Sequence, residues 1–369
     1  MKVLILGDVN SVHIRKWCIG LAGQGISIGI FSLSKIECNW FEGIENIEIC
    51  GHAAIKDRST FRKKAFSKMQ YLKVVPALKK AIKAFMPDIV HAHYASSYGL
   101  LGALSGFHPF YISVWGNDVF EFPNQNKVQE LTFKANLKCA DRIFSTSHIM
   151  ARETAKYTSK DVTVIPFGVS TGSFEGVKPT SLFANDTVVI GTIKTLEKDY
   201  AIDVLIKAFA IALASNPDVN LKLLICGKGT MEEALKDLTR ELQIEEHVLF
   251  TGYIGHDEVP GYLAGMDIFC CFSNAESFGV AVVEAMAAGK PTAVSNAGGL
   301  PEVVDHGECG LIVETQDPEA AASAISKLIG DGNLRTYLGA KAKERVTREY
   351  DWNNCVKSMV SIYNSNKAG

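Results

Sequence analysis

Short apolar runs alternate with stretches of helical period from one end of the chain to the other. In the first half the runs predict strands at Lys2–Leu6, Ile26–Ser32, Ile47–Ile49, Ile89–His91, Tyr111–Val114, Arg142–Ser145 and Val162–Ile165. In the second they predict strands at Val188–Thr192, Leu221–Cys226, Val248–Thr251, Ile268–Phe272, Pro291–Ser295 and Gly310–Ile312. Between them lie helical patterns such as Ile14–Gly23, Tyr71–Phe85, Ile202–Ala214, Met231–Leu242, Val280–Ala288 and Ala320–Leu328, and Trp352–Tyr363 follows as a last helix. Regular strand–helix alternation is the mark of parallel α/β architecture. Near Gly168–Asn185 glycine, proline and serine gather and neither period holds, which predicts a break between two similar halves.

Length and composition support two domains. A chain of 369 residues exceeds what one core usually serves. An apolar share of 47% and a charged share of 21% exclude disordered and fibrous classes. A formal charge of -2 gives the whole molecule no electrostatic pull toward nucleic acid. The opening apolar run meets Asp8 too soon for a signal peptide, and no run reaches the roughly 20 residues that cross a bilayer. The nine cysteines are scattered without C-x-x-C spacing, which suits a reducing compartment. A cytoplasmic protein is expected.

In open parallel sheets, ligands sit beyond the carboxyl ends of the strands, where strand order reverses. The informative residues are therefore those just after each strand. The segment Ser273-Asn-Ala-Glu276-Ser277-Phe278-Gly279 leaves a strand and opens a helix that carries Glu284. Amides of Ser277, Phe278 and Gly279 at a helix N-terminus would suit a phosphate or diphosphate. Glu276 and Glu284 would suit sugar or ribose hydroxyls. A capping acid followed by an unrelated surface Glu has the same spacing.

These residues resemble the E-x7-E motif of the family 4 retaining glycosyltransferases, and the segments Glu284–Ser295 and Ala297–Glu302 are similar to that family's second signature. Leu223–Gly229 and Phe250–Tyr253 also match, so the likeness spans nearly the whole chain. The resemblance implies a GT-B fold: two Rossmann-like parallel-sheet domains facing each other across a cleft. It places an acceptor-binding domain at 1–170, a nucleotide-sugar-binding domain at 186–350, and a C-terminal helix at 351–369 packing back toward the first. It further implies retention of anomeric configuration, no cofactor and no metal, and the sequence has no D-x-D pair. By the same likeness Glu276 contacts the transferred sugar, Glu284 the ribose, and Gly227 with the amides of Ser277, Phe278 and Gly279 the donor. The family's G-R-L-x-x-x-K-G segment supplies two cations. Here Lys194 replaces the Arg, Lys198 is displaced by about one residue, and Ala201 stands where Gly is usual.

Three further strand ends carry candidates. In His91-Ala92-His93 the alternation puts both imidazoles on one side of the strand. The family likeness points to His93 beside the reacting sugar and leaves His91 structural. After the next strand, Trp115-Gly116-Asn117-Asp118 supplies Asn117 and Asp118 as acceptor-side candidates, though turn formers read the same way. In Gly7–His13 the candidates are Asn10, Ser11 and His13, with Ser11 also readable as a helix cap. Ser11-x-His13 with Arg15 and Trp17 is similar to a subset acting on surface polysaccharides.

From Lys56 to Lys83 there are ten Lys or Arg residues and one acid, Asp57. Such a basic amphipathic segment fits an anionic membrane surface or a solvated helix face. Together these readings predict transfer of a sugar from a UDP- or GDP-linked donor to a glycan, as on a polyprenyl-diphosphate-linked intermediate of a bacterial surface polysaccharide. The rivals are another GT-B enzyme such as a nucleotide-sugar epimerase, and a silent subunit that binds nucleotide sugar or membrane.

Overall fold

A computed structural model describes residues 1–53 and 68–365. The chain divides into two units, one of Met1–Pro166 with the chain from Cys355 onward, the other of Phe167–Asn354.

The first unit holds a seven-stranded parallel sheet of β1 (Lys2–Leu6), β2 (Ser27–Ser32), β3 (Ile47–His52), β4 (Ile89–His93), β5 (Phe110–Ser113), β6 (Arg142–Ser145) and β7 (Val162–Val164). Its order is β3-β2-β1-β4-β5-β6-β7, so strand order reverses between β1 and β4. Central strands of a parallel sheet are covered on both faces. Accordingly Val3 to Leu6 of β1 and all of β4 are buried, whereas the edge strand β3 is half-exposed. Helix Val12–Ala22 buries Ile14, Trp17, Cys18 and Leu21, the single stripe expected of a 3.6-residue period.

The second unit repeats the plan with six parallel strands: β8 (Val188–Ile193), β9 (Leu221–Cys226), β10 (Val248–Gly252), β11 (Ile268–Cys271), β12 (Thr292–Ser295) and β13 (Gly310–Val313). The order β10-β9-β8-β11-β12-β13 reverses between β8 and β11. Helices Ile202–Ser215 and Pro318–Gly330 bury Val204, Leu205, Phe209, Ile325 and Leu328 in its core.

Two expectations change here. The segment after Pro166, where the break is predicted, belongs to the second unit. The Phe167 ring meets Phe278 at 6.4 Å, Thr180 donates its amide to Gly261 at 2.9 Å, and Val169 pairs with Asp351. These contacts absorb the glycine- and proline-rich stretch into the second unit. The basic segment also reads differently. Lys56 to Ser67 lie outside the described residues. In helix Lys68–Phe85 the apolar stripe of Tyr71, Val74, Leu78, Ala81 and Phe85 is buried in the core. That stripe is spent on the fold, and the outward face offers Lys73, Lys79, Lys80 and Lys83 with Leu72. Among the described residues no helix is long and apolar enough to cross a membrane.

Candidate functional site

Both sheets place the candidate residues at their switch points, the positions where an open α/β sheet leaves a crevice. In the second unit, β8 ends and Lys194 follows, while β11 ends and runs into Ser273–Gly279. The Lys194 Nζ lies 2.5 Å from Glu276 Oε2, and the two side chains are only 15% and 12% exposed. Beneath the ammonium, the Tyr200 ring centroid is 4.2 Å away. Burial lowers the Lys194 pKa, but Glu276, helped by Cys271 and Tyr200, raises it by more, and the group ends above its ordinary value. The pair is thus charged and partly dry.

Backbone contacts hold these loops in register. Asn274 donates its amide to the Asp199 carbonyl at 2.8 Å, which ties the loop after β11 to the loop after β8. A Cβ on Gly227, whose φ is +146°, would sit 1.9 Å from the Lys194 carbonyl oxygen. A Cβ on Gly298, at φ +51°, would sit 1.8 Å from the Glu276 carbonyl oxygen, and Gly299 donates its amide to that oxygen at 2.9 Å. The glycine pair after β12 is therefore what lets the chain lie flush on the Glu276 loop. Gly279, at φ +100°, turns the chain into helix Val280–Ala287. Among the described residues no group accepts from the Phe278 and Gly279 amides. Glu284, on the same helix, is nearly buried, and His256 Nδ1 lies 3.9 Å from its Oε1.

In the first unit the site is aromatic rather than ionic. His91 and His93 project from β4 with ring centroids 4.4 Å apart. His91 is flanked by the Tyr363 hydroxyl 2.6 Å from Nδ1 and the Ser113 hydroxyl 2.8 Å from Nε2, so it ties β4 to the last helix, Trp352–Ser365. His93 is 1% exposed, and neither of its ring nitrogens has a hydrogen-bond partner. Burial drives its pKa down to about 3, and the ring is neutral at any physiological pH. Trp115 meets it edge-on at 5.2 Å, Trp17 lies at 6.5 Å, and His13 packs on Trp115 at 5.7 Å.

The structure reassigns several sequence candidates. Asp118 is fully buried and accepts from the amides of Ala95, Trp115 and Gly116 at 2.6, 3.0 and 2.9 Å. Burial raises its pKa and these amides pull it back only in part. Its carboxylate builds the loop and is not open to an acceptor. Asn10 is committed likewise, donating to the Lys35 carbonyl and accepting from the Glu37 amide. Gly227 donates its own amide to the Gly252 carbonyl and packs against the Lys194 carbonyl, so that amide is already committed. Lys198 is exposed and lines a separate cavity with Asp203, Lys207, Met231 and Gln316, apart from the Lys194–Glu276 pair. Phe278 buries its ring against Phe167 and Tyr350, leaving only its amide for a ligand. Asn117 is exposed at the head of the short helix Asn117–Phe120, and Ser11 stands at the N-cap of Val12–Ala22 without a side-chain cap bond. Tyr200, His256 and the Trp115 ring were not singled out from sequence. The strand-end rule alone would have found His256, which follows β10.

Comparison with known proteins agrees with this anatomy. Residues 174–345 match the family model of glycosyl transferases group 1, and residues 2–147 match that of glycosyl transferase 4-like proteins. An N-acetyl-alpha-D-glucosaminyl L-malate synthase of Bacillus anthracis is 27% identical over 75% of this chain and 74% of its own. An uncharacterized glycosyltransferase of Methanocaldococcus jannaschii is 35% identical, but over only 39% of this chain and 37% of its own length. In the relatives matched at above 30% identity, this one among them, the matched stretch spans 37% to 43% of their length. Among solved structures, a sucrose-phosphate synthase from Thermosynechococcus elongatus superposes with a TM-score of 0.82 at 20% identity, over 100% of this chain and 99% of that one. The Anabaena protein HepE, solved in complex with UDP and glucose, gives 0.77 at 18% identity, over 99% and 100%.

Proposed function

Because the chain belongs to the group 1 glycosyltransferases, with two Rossmann-like parallel-sheet units, we propose that it moves a sugar from a nucleoside-diphosphate donor to a glycan hydroxyl. The observation that carries this reading is the half-buried Lys194–Glu276 pair at the β8/β11 switch point, beside the free Phe278 and Gly279 amides.

When the bond from the anomeric carbon to the phosphate oxygen breaks, charge builds on the departing diphosphate. Lys194 and the amides at the start of helix Val280–Ala287 meet that charge in a partly dry site, where fixed donors act most strongly. Glu276, released by Lys194, accepts from hydroxyls of the transferred sugar, and Glu284 accepts from the ribose. The acceptor oxygen bonds to the anomeric carbon on the face the phosphate leaves, and its proton passes to the departing phosphate oxygen. Configuration is retained and no side-chain base is needed, so Asp118 has no such role. His93, neutral and with unpaired nitrogens, offers a hydrogen bond to a sugar hydroxyl rather than a proton. With Lys194 and the amides supplying the positive charge, the transfer runs without metal, and a chelator leaves it unchanged.

The donor is UDP- or GDP-linked; relatives include a GDP-mannose-dependent mannosyltransferase, and HepE binds UDP. The acceptor is a glycan on a polyprenyl-diphosphate lipid. Lys73, Lys79, Lys80 and Lys83 would each add about 1 kcal/mol at an anionic surface. A second reading rests on Lys198, whose absence from the pair leaves one lysine facing the donor. That favours a silent nucleotide-sugar-binding subunit.

A panel of UDP-, GDP-, ADP- and TDP-sugars, followed by melting temperature and nucleotide release, decides between them. A donor at 100 times its Kd adds about 2.7 kcal/mol. A shift with one donor, lost in Glu284→Ala and accompanied by nucleotide release, supports the transferase. A shift without release under any acceptor supports the silent subunit, and no shift at all sinks both.

A further inference from the structure

Lys194 is held by two groups of opposite character. Glu276 takes one of its N–H donors in a short ion pair, and the face of Tyr200 lies beneath the ammonium at 4.2 Å. Tyr200 belongs to the tight turn Lys198–Tyr200, and its amide donates to the Glu197 carbonyl at 3.0 Å. The turn is in turn anchored to the loop after β11, since the Asp199 carbonyl accepts from the amides of Asn274 and Ala275. Tyr200 packs against the core of the second unit. The ring is therefore a fixed floor, not a mobile surface side chain.

We propose that Tyr200 is the positioning residue for Lys194: its ring face keeps the ammonium in the site while Glu276 hands it over to an anionic ligand. This deepens the donor reading above and rests on it. With no ligand, Lys194 and Glu276 neutralise each other, so a diphosphate has to replace the carboxylate at the ammonium. A carboxylate in the place of Tyr200 would repel that incoming phosphate. A second lysine there would repel Lys194. An aromatic face attracts the cation through its quadrupole, takes none of its N–H donors and carries no net charge. The ammonium can thus turn from Glu276 to phosphate above the same floor, and the freed Glu276 becomes an acceptor for sugar hydroxyls.

The test compares Tyr200→Leu, Tyr200→Phe and Tyr200→Trp with the wild-type chain for binding of UDP and GDP by calorimetry. Loss of the ring in Tyr200→Leu weakens the bound nucleotide by about three- to thirty-fold, the range of a cation–π contact. Tyr200→Phe keeps the ring and stays within about twofold. Tyr200→Trp, with the stronger ring, restores full affinity even if Tyr200→Leu melts early. Wild-type affinity in Tyr200→Leu, or equal weakening in Tyr200→Phe, overturns the proposal. A second readout is independent of the donor: the Lys194 ε-methylene protons in the wild type carry an upfield ring-current shift that Tyr200→Leu removes. If the wild type binds no nucleotide, the donor reading falls alone. If the Lys194 shift is the same in both proteins, the Tyr200 proposal falls.

Discussion

In the first unit the buried candidate His93 sits among Trp17, Trp115 and His91 with both ring nitrogens unpaired. In the second, Lys194 and Glu276 are partly withdrawn from water and held as an ion pair. The first site keeps a titratable group by making it neutral, because an aromatic wall offers no partner for a proton. The second keeps two charges by setting them against each other and fixing both loops with backbone contacts. An unpaired buried nitrogen costs stability, and a protein that tolerates it keeps a hydrogen-bonding position open. A paired buried charge costs less but has to be unpaired before it acts. Readiness is thus stored in the first unit as an orphan and in the second as an exchangeable bond.

The largest effect expected from breaking this contrast comes from backbone, not charge. In Gly298→Ala the added methyl would fall 1.8 Å from the Glu276 carbonyl oxygen, so the loop has to move by more than an ångström. Displacements of that size cost about a hundredfold or more in rate, and here Glu276 and Lys194 shift together. Transfer should drop on the order of a thousandfold, while the acid-dependent unfolding of the first unit is unchanged. Activity within tenfold of wild type would mean that the Glu276 loop is not held by the glycine pair.

The next effect is on pH. In the unfolded chain a histidine takes its proton near pH 6.5, whereas His93 in the fold waits until about pH 3 and His91 is also held well below its ordinary value. Between those limits the unfolded chain binds more protons, so stability is full above pH 6.5 and falls as the pH drops through the window. Each histidine adds about 1.4 kcal/mol per pH unit to that slope. Trp17, Trp40 and Trp115 all lie in the first unit, so urea titrations followed by fluorescence at pH 7, 6 and 5 report mainly on it. Replacement of His93 by Leu should flatten the slope by one histidine's share. Parallel curves for the two proteins would show that His93 takes a proton in the fold.

The sheets were legible because burial writes itself into apolar runs. β1, β6 and β9 have the bounds expected from the pattern, and other strands differ by a residue or a few at their ends. The positions of Lys194, Glu276 and His93 after strands were legible for the same reason. What those polar residues touch was not, since Asn10, Asp118 and Asn117 look alike in sequence. Only the fold shows that the first two spend their side chains on backbone amides and carbonyls, while the third stands exposed. Lys198 was misplaced by geometry. In a tight turn each residue rotates by about 120°, so Lys198 and Tyr200 face different ways, and the ring rather than the ammonium reaches Lys194. A search for cations passes over a neutral ring. The domain break was blurred because glycine and proline mark any irregular path, including one bound to a core.

The smallest effect is the sharpest discriminator between backbone conformation and contact. Ala201 and Gly298 share the left-handed region, at φ +45° and +51°. One position holds a Cβ and the other could not. For Ala201 the left-handed backbone costs about 1–2 kcal/mol. Replacing it by glycine returns that strain, but it loosens the unfolded chain by about 0.4–1 kcal/mol. It also removes a methyl that is 2% exposed in the core of the second unit, and a buried methyl contributes about 0.8 kcal/mol. These terms nearly cancel, so Ala201→Gly should change stability by no more than about 0.8 kcal/mol in either direction, with transfer intact. Set beside the collapse expected of Gly298→Ala, that result would assign the need for glycine at 298 to the Glu276 carbonyl alone. A loss above 2 kcal/mol in Ala201→Gly would instead show that its buried methyl, more than its φ, fixes the turn that carries Tyr200.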